Sequence, residues 1–340
     1  MPPTNPPHCA PHKLFNKKTL LRHIVNTLVL DPRAKSRQGV RRMFNEGEST
    51  MMVRSVLAAA GVFALMQAPV ATPVMAADFV FTAIPDQDET QLRKRFGKVA
   101  KYLSTSLGVT VKYVPVKSYA AAVTAFRNNQ VQLAWFGGLS GVRAREVVKD
   151  SRAIAQGKKD PFFETYFIAH KSTGLKPSKA FPKEIAGKTF TFGSKGSTSG
   201  RLMPEFHIRA AFGKIPKKVF KKVGFSGNHS RTVALVQSGA YEVGAVNYKV
   251  WNREVKSGKI DLSKVSLIWK TPPYPDYQWT IRGDVNKQFG KGFGKKVQGA
   301  LLSMNDPDLL KSFPRDGFIA ATNSDYAPIK ATAKKLGLID

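Results

Sequence analysis

The 340-residue sequence holds a single cysteine, Cys9. No disulfide can form within the chain, and beyond its first few residues there is neither a thiol nucleophile nor a thiolate metal ligand. Acidic residues are scarce too: 23 Asp and Glu face 54 Lys and Arg, a formal net charge of +31. Such an excess suits nucleic acid, anionic surfaces or anionic solutes. No stretch reaches the roughly 18 consecutive apolar residues of a membrane-spanning helix. The six histidines are scattered and no H-E-x-x-H occurs, so a metal or hydrolytic zinc site has no motif to rest on. Gly187-Lys188-Thr189 ends like a P-loop, but Pro182 stands where the first glycine belongs. Gly196-Ser197-Thr198-Ser199-Gly200 puts Thr198 where a nucleophile elbow needs serine. No cofactor is expected.

Met51-Met52-Val53-Arg54 gives a short basic start, and Ser55 to Met66 is an almost unbroken apolar run, followed by small residues ending in Val74-Met75-Ala76. This is the layout of a secretory signal peptide over 51–76, cut between Ala76 and Ala77. Residues 1–50, Pro-rich and basic, are expected to be a non-native or disordered extension from a start assigned too far upstream. Residues 77–340 retain 44 Lys and Arg against 20 Asp and Glu, a net +24. An exported product disfavours nucleic acid as the partner of that charge. With no cysteine after the signal, lipid anchoring is not expected.

Phe79 to Ile84 reads as a buried strand. A helix follows with Leu92, Phe96, Val99, Leu103 and Leu107 at helical spacing, stopped by Gly108. Val109 to Val114 is a strand, Ser118 caps a second helix, and Val131 to Phe136 is a third strand. The alternation implies a parallel sheet covered on both faces. A second unit runs from the strand Thr189 to Phe192 through a helix carrying Leu202, Phe206 and Ala210. It continues through a helix of about His229 to Gln237 into the strand Val243 to Val246. The path from Ser118 to Gly137 and the path from Ser230 to Asn247 share this layout, which predicts two similarly built lobes. Phe163 to Ala169 and Val265 to Trp269 would carry the chain between them. A helix over about 286–304 and another after Ser324 would return it to the first. The lobes are placed at 77–167 with 268–340, and at 168–267. Ligands of such sheets bind beyond the carboxyl ends of the strands.

Ser194-Lys195-Gly196-Ser197-Thr198-Ser199-Gly200 lies after a strand and immediately before a helix. Three hydroxyls and free backbone N–H groups at a helix start suit an anion. A plain serine cap fits the same stretch.

Several segments together resemble a known family. These are Ser118-Tyr119 with Phe126-Arg127-Asn128, Ala134-Trp135-Phe136-Gly137, and Ser197-Thr198-Ser199-Gly200 with Pro204. Phe225-Ser226-Gly227-Asn228-His229 and Gly244-Ala245-Val246-Asn247-Tyr248 complete the set. Over about Phe79 to Ala320 the chain resembles the phosphate/phosphite/phosphonate-binding proteins of ABC transporters. Ile84-Pro85-Asp86-Gln87-Asp88-Glu89-Thr90 resembles a subgroup described as selenate-binding. The resemblance implies an α/β type II periplasmic binding fold, two lobes each with a mainly parallel sheet, hinged by crossover strands. It implies a monomer in the periplasm, an inner-membrane ABC permease as partner, and a tetrahedral oxyanion as ligand. Ser197, Thr198 and Ser199 would grip the anion and His229 would donate from the same lobe. Tyr119 and Tyr166 would close from the other, with Phe136 as a wall. Asn247 stands where the family often has Asp, so the cleft is expected to lack the negative charge that holds a ligand amine. That favours selenate, phosphite, phosphate, sulfate or an uncharged alkylphosphonate. The competing readings are an oxyanion sensor for a signalling receptor, a hydrolase using Ser199 and His229, and a nucleic-acid binder.

Overall fold

The computed structural model describes residues 77–340, so the expected extension and signal segment lie outside the described residues. The first part of the chain contributes β1 (Phe79–Ala83), α1 (Glu89–Leu107), β2 (Val111–Tyr113), α2 (Tyr119–Arg127), β3 (Leu133–Phe136), α3 (Gly138–Val147) and β4 (Arg152–Gly157). The middle part follows with β5 (Thr165–His170), β6 (Thr189–Phe192), α4 (Met203–Phe212), α5 (Pro216–Val219) and β7 (Lys222–Phe225). It ends with α6 (His229–Gln237), β8 (Val243–Asn247), α7 (Tyr248–Lys256) and β9 (Val265–Lys270). The tail adds β10 (Gln278–Ile281), α8 (Val285–Phe289), α9 (Phe293–Leu302), α10 (Pro307–Ser312), β11 (Phe318–Ala320) and α11 (Ala327–Lys335).

Local sequence explains the elements nearest the seam. The Asp88 carboxylate accepts from Gln91 N at 3.0 Å and caps α1, whose apolar stripe is buried. Gly108 ends that helix at φ 70°, a left-handed conformation that glycine adopts without strain. Ser118 caps α2 by accepting from Ala121 N at 3.1 Å. The matching cap in the second unit is Asn228, two residues before the expected Ser230, and it accepts from Arg231 N at 2.8 Å. Ser230 lies inside α6 and donates its hydroxyl hydrogen to Glu254 instead. The tail helix expected over 286–304 is broken into α8 and α9 at Gly290 and Gly292, both at positive φ.

Two sheets result, in the orders β11-β4-β10-β3-β1-β2 and β7-β6-β8-β5-β9. Their βαβ halves are parallel, as expected: β1 with β2 and β3, and β6 with β7 and β8. The strands that join the lobes run the other way. β10 is antiparallel to β3 and β4, and β5 to β8 and β9, so each sheet is mixed. β5 and β9 belong wholly to the second sheet, so the expected boundaries at 167/168 and 267/268 cut through strands. The crossovers are the segments 158–164 and 271–277, pinned together by an antiparallel bridge between Phe163 and Tyr274. A continuous apolar run does not say which of two sheets will receive it.

The first lobe's core gathers Phe79, Phe81, Phe96, Trp135 and Trp279. The second sheet is packed on both faces, Phe167, Phe190 and Trp269 on one and Ile168, Val236 and Trp251 on the other. Among the described residues no helix is long and apolar enough to cross a membrane.

Candidate functional site

The hydroxyl turn emerges from β6 at the seam between the lobes. Thr198–Leu202 forms a π-helical turn that runs into α4. Ser197 caps it, its Oγ accepting from Gly200 N at 2.9 Å. Ser197, Thr198 and Ser199 are each almost fully buried. Thr198 Oγ1 faces the other lobe and accepts from Leu139 N at 2.9 Å, in the first turn of α3. Beside it, Gly138 N donates to Asp276 Oδ1 at 2.7 Å. The approach is close: a Cβ on Gly137 would stand 3.0 Å from Asp276 Oδ1, and one on Gly138 would stand 3.2 Å from the Pro275 carbonyl oxygen. The start of α3, the hydroxyl turn and Asp276 therefore form one cluster contributed by three separate stretches of chain.

Asp276 is buried at the end of the second crossover, and burial pushes its carboxyl up to about 7, against the opposing pull of Thr198 and Gly138 N. At neutral pH this group both holds and releases a proton.

His229 is the first residue of α6 and fully buried. Burial holds its imidazole down at about 4, with Asp86 opposing. Its Nδ1 accepts from Asn247 N at 3.2 Å, so the neutral ring carries its hydrogen on Nε2, which faces Ser199 Oγ at 3.5 Å. His229 is thus a neutral donor. A base for Ser199 would need the opposite tautomer and a carboxylate on Nδ1, and this arrangement has neither. The hydrolase reading loses its geometry.

Of the other expected residues, Tyr119 is the first residue of α2 and reaches the seam from the first lobe. Burial drives its phenol well above the ordinary range, with Asp86 adding and Ser197 offsetting. Tyr166 does not reach the seam. It lies on β5 in the second lobe and packs with Val233, Val246 and Trp251, under Lys270 at 5.0 Å. Successive strand residues point to opposite faces, and it is the neighbouring Thr165 that turns inward, donating to Ser199 O at 2.9 Å and sharing a hydrogen bond with Tyr274. Phe136 is fully buried edge-on to Phe126 in the first lobe's core and brings nothing to the turn. Asn247 is committed to protein partners. Its Oδ1 caps α7, accepting from Lys249 N at 2.8 Å, and its Nδ2 donates to Tyr277 Oη at 2.8 Å.

Three residues at the seam escaped the sequence reading. Tyr277 donates to Asp86 Oδ2 at 2.8 Å, and the Asp86 carbonyl accepts from His229 N at 3.0 Å across the seam. Asp86, Asp276 and Tyr277 are all buried. Position 247 brings no carboxylate, but two others that the reading did not count stand at the seam, Asp86 after β1 and Asp276 on the second crossover. A carboxylate among the prolines of Thr271-Pro272-Pro273-Tyr274-Pro275-Asp276-Tyr277 was the available signal. Among the described residues no cluster of His, Cys, Asp and Glu could hold a metal ion.

Comparison with known proteins meets this geometry. Residues 81–326 match the family described as ABC transporter, phosphonate, periplasmic substrate-binding protein. The chain is 42% identical over 264 residues to the probable ABC transporter phosphite binding protein PhnD1 of Prochlorococcus marinus (strain MIT 9301), covering 76% of this chain and 89% of that one. The solved structure of that organism's PhnD1 in complex with methylphosphonate superposes with a TM-score of 0.74 at 41% identity, covering 77% of this chain and 99% of that one. The phosphate-import protein PhnD of Mycolicibacterium smegmatis is 25% identical over 260 residues, 69% of this chain and 74% of that one. A phosphonate-transporter binding protein of Pseudomonas aeruginosa, at 20% identity and a TM-score of 0.66 over 76% of this chain and 85% of that one, shares the fold. The chain belongs to the periplasmic substrate-binding proteins of ABC phosphonate transporters.

Proposed function

We propose that this protein is exported, captures a small phosphorus oxyanion between its lobes and delivers it to an ABC permease in the inner membrane. Phosphite and methylphosphonate are the ligands we assign. One observation carries the reading: Asp276, shifted to about 7, shares the α3 start with Thr198 at a seam built of hydroxyls and neutral N–H donors. A phosphite or alkylphosphonate anion titrates near neutrality, so one proton can be shared between the ligand and Asp276. Sulfate and selenate have no proton to share at that pH and would set a bare dianion against the carboxylate. The methylphosphonate-bound relative at 41% identity supports the same class. We assign Ser197, Thr198, Ser199, His229 and Tyr119 as ligand donors, and Asp276 as the group that selects for a shared proton.

The test is calorimetry with methylphosphonate, phosphite and sulfate on wild type and Thr198→Val, which keeps the shape and removes the hydroxyl. A hydrogen bond to a charged group contributes about 1.5–3 kcal/mol, so Thr198→Val is expected to weaken binding about 10- to 100-fold with circular dichroism unchanged. Equal affinity in the two proteins would reduce the turn to a helix cap. Sulfate binding as tightly as methylphosphonate would remove the role given to Asp276.

A further inference from the structure

An anion held by neutral donors needs no large positive charge at its own site, and the positive charge of this chain is unevenly spread. Residues 165–270, the second lobe, hold 20 Lys and Arg against 5 Asp and Glu, a net +15, whereas the remainder of 77–340 carries +9. Within the second lobe the lysines gather at the end away from the hydroxyl turn. β6, β7, β8 and β9 begin there and β5 ends there. Lys188 precedes β6, Lys221 precedes β7 and Lys222 opens it, Lys171 follows β5 and Lys264 precedes β9. Two acids share this end: Glu242, which lies 4.0 Å from Lys188 and accepts from Thr189 N, and Asp261, which pairs with Lys264 at 3.6 Å.

The segment around α5 thickens this pole. Gly187 N donates to Val219 O and Lys221 N to Lys188 O, which seat residues 214–222 against the start of β6. Lys214, Lys217, Lys218, Lys221 and Lys222 are all exposed. Among the described residues none of these five has a carboxylate within 4.0 Å. Ile215 stands among them, 46% exposed.

We infer that this pole docks on the anionic phospholipid headgroups of the membrane that holds the permease. Five strands span about 19 Å at the usual sheet spacing, so the charge is spread over a face wider than one small anion. The cations are lysines, compact point charges without the planar fork by which arginine selects a particular oxyanion geometry. A single-stranded nucleic acid calls for exposed aromatics among the cations, whereas at this pole Phe220 is buried and Tyr241, 5.2 Å beneath the Lys222 ammonium, is half-buried. Each lysine held near an acidic lipid surface contributes about 1 kcal/mol of attraction, and five stand together here. The inference rests on the importer reading only in placing the protein beside a membrane.

The test uses protein comprising residues 77–340 and sedimentation with vesicles of equal parts phosphatidylglycerol and phosphatidylethanolamine, against pure phosphatidylcholine. Wild type is expected to pellet with the anionic vesicles alone, and to be released as salt shortens the screening length from about 10 Å at 0.1 M to about 3 Å at 1 M. A variant with Lys214, Lys217, Lys218, Lys221 and Lys222 changed to Gln is expected to lose at least about a hundredfold in vesicle affinity, at roughly fivefold per lysine. A control with Lys94, Lys98, Lys101, Lys291 and Lys295 changed to Gln, all exposed on the first lobe, is expected to pellet like wild type. No pelleting of wild type, equal loss in both variants, or retention on duplex DNA without retention on vesicles overturns the inference. Methylphosphonate calorimetry on the same proteins reads the oxyanion site separately, so failure at the pole and failure of the importer reading are told apart.

Discussion

Asp276 sits where a carboxylate and an anionic ligand would ordinarily repel each other, and its raised proton affinity removes the conflict. The folded protein holds its proton to about pH 7, whereas an ordinary aspartate releases it near 3.8. The stability it contributes is therefore complete below about pH 4 and is lost as pH rises through about 7. Asp276→Asn keeps an oxygen for Gly138 N but cannot ionise. Its melting temperature relative to wild type should climb between pH 5 and pH 8, as differential scanning calorimetry would read. Ligand affinity should diverge as well: wild type loses methylphosphonate affinity above pH 7 by up to about tenfold per pH unit, whereas the variant, with no carboxylate to oppose the dianion, escapes that loss and follows the ligand's own ionisation alone. Parallel profiles would place the shared proton elsewhere. His229 plays a different part, since an imidazole held near 4 stays neutral throughout this range.

The two lobes present equivalent helix starts to the seam. Ser118 caps α2 and sets Tyr119 in its first turn; Asn228 caps α6 and sets His229 in the same place. The shared layout was legible in the sequence because caps and apolar periods are local signals, although the second cap was read two residues late, at Ser230 for Asn228; the hydroxyl turn was legible for the same reason. What stayed hidden depended on partners far along the chain. Nothing near Tyr166 reveals that Thr165 takes the inward face, since a strand's register is set by the sheet that receives it. Nothing near Asp86 or Asp276 reveals that loops separated by some 190 residues meet through the Tyr277 hydroxyl. Gly196 tests the fit of these elements. A Cβ there would stand 3.0 Å from Cβ of Tyr119, across the seam. Overpacking costs about 1–3 kcal/mol, here only when the lobes meet. Gly196→Ala should therefore weaken methylphosphonate binding roughly 5- to 100-fold while each lobe keeps its circular dichroism. Unaltered affinity would mean that the turn shifts freely against α2.

At the scale of the molecule, two bodies of like sign are hinged at 158–164 and 271–277, one carrying +15 and the other +9. Bringing them together opposes their mutual repulsion, and salt relieves it over a screening length of about 10 Å at 0.1 M. Small-angle scattering without ligand should show the radius of gyration falling as salt is raised from about 0.01 M to about 0.1 M, where screening shortens from about 30 Å to about 10 Å. A constant radius would mean that the exposed charges stand too far from the seam to matter. The same charges draw a dianion toward the protein, an attraction strongest when salt is low. Ionic strength thus acts in opposite directions on the two steps of capture, slowing arrival while easing closure. Overall affinity should then peak at an intermediate salt concentration, tuning the protein to the ionic strength of its surroundings.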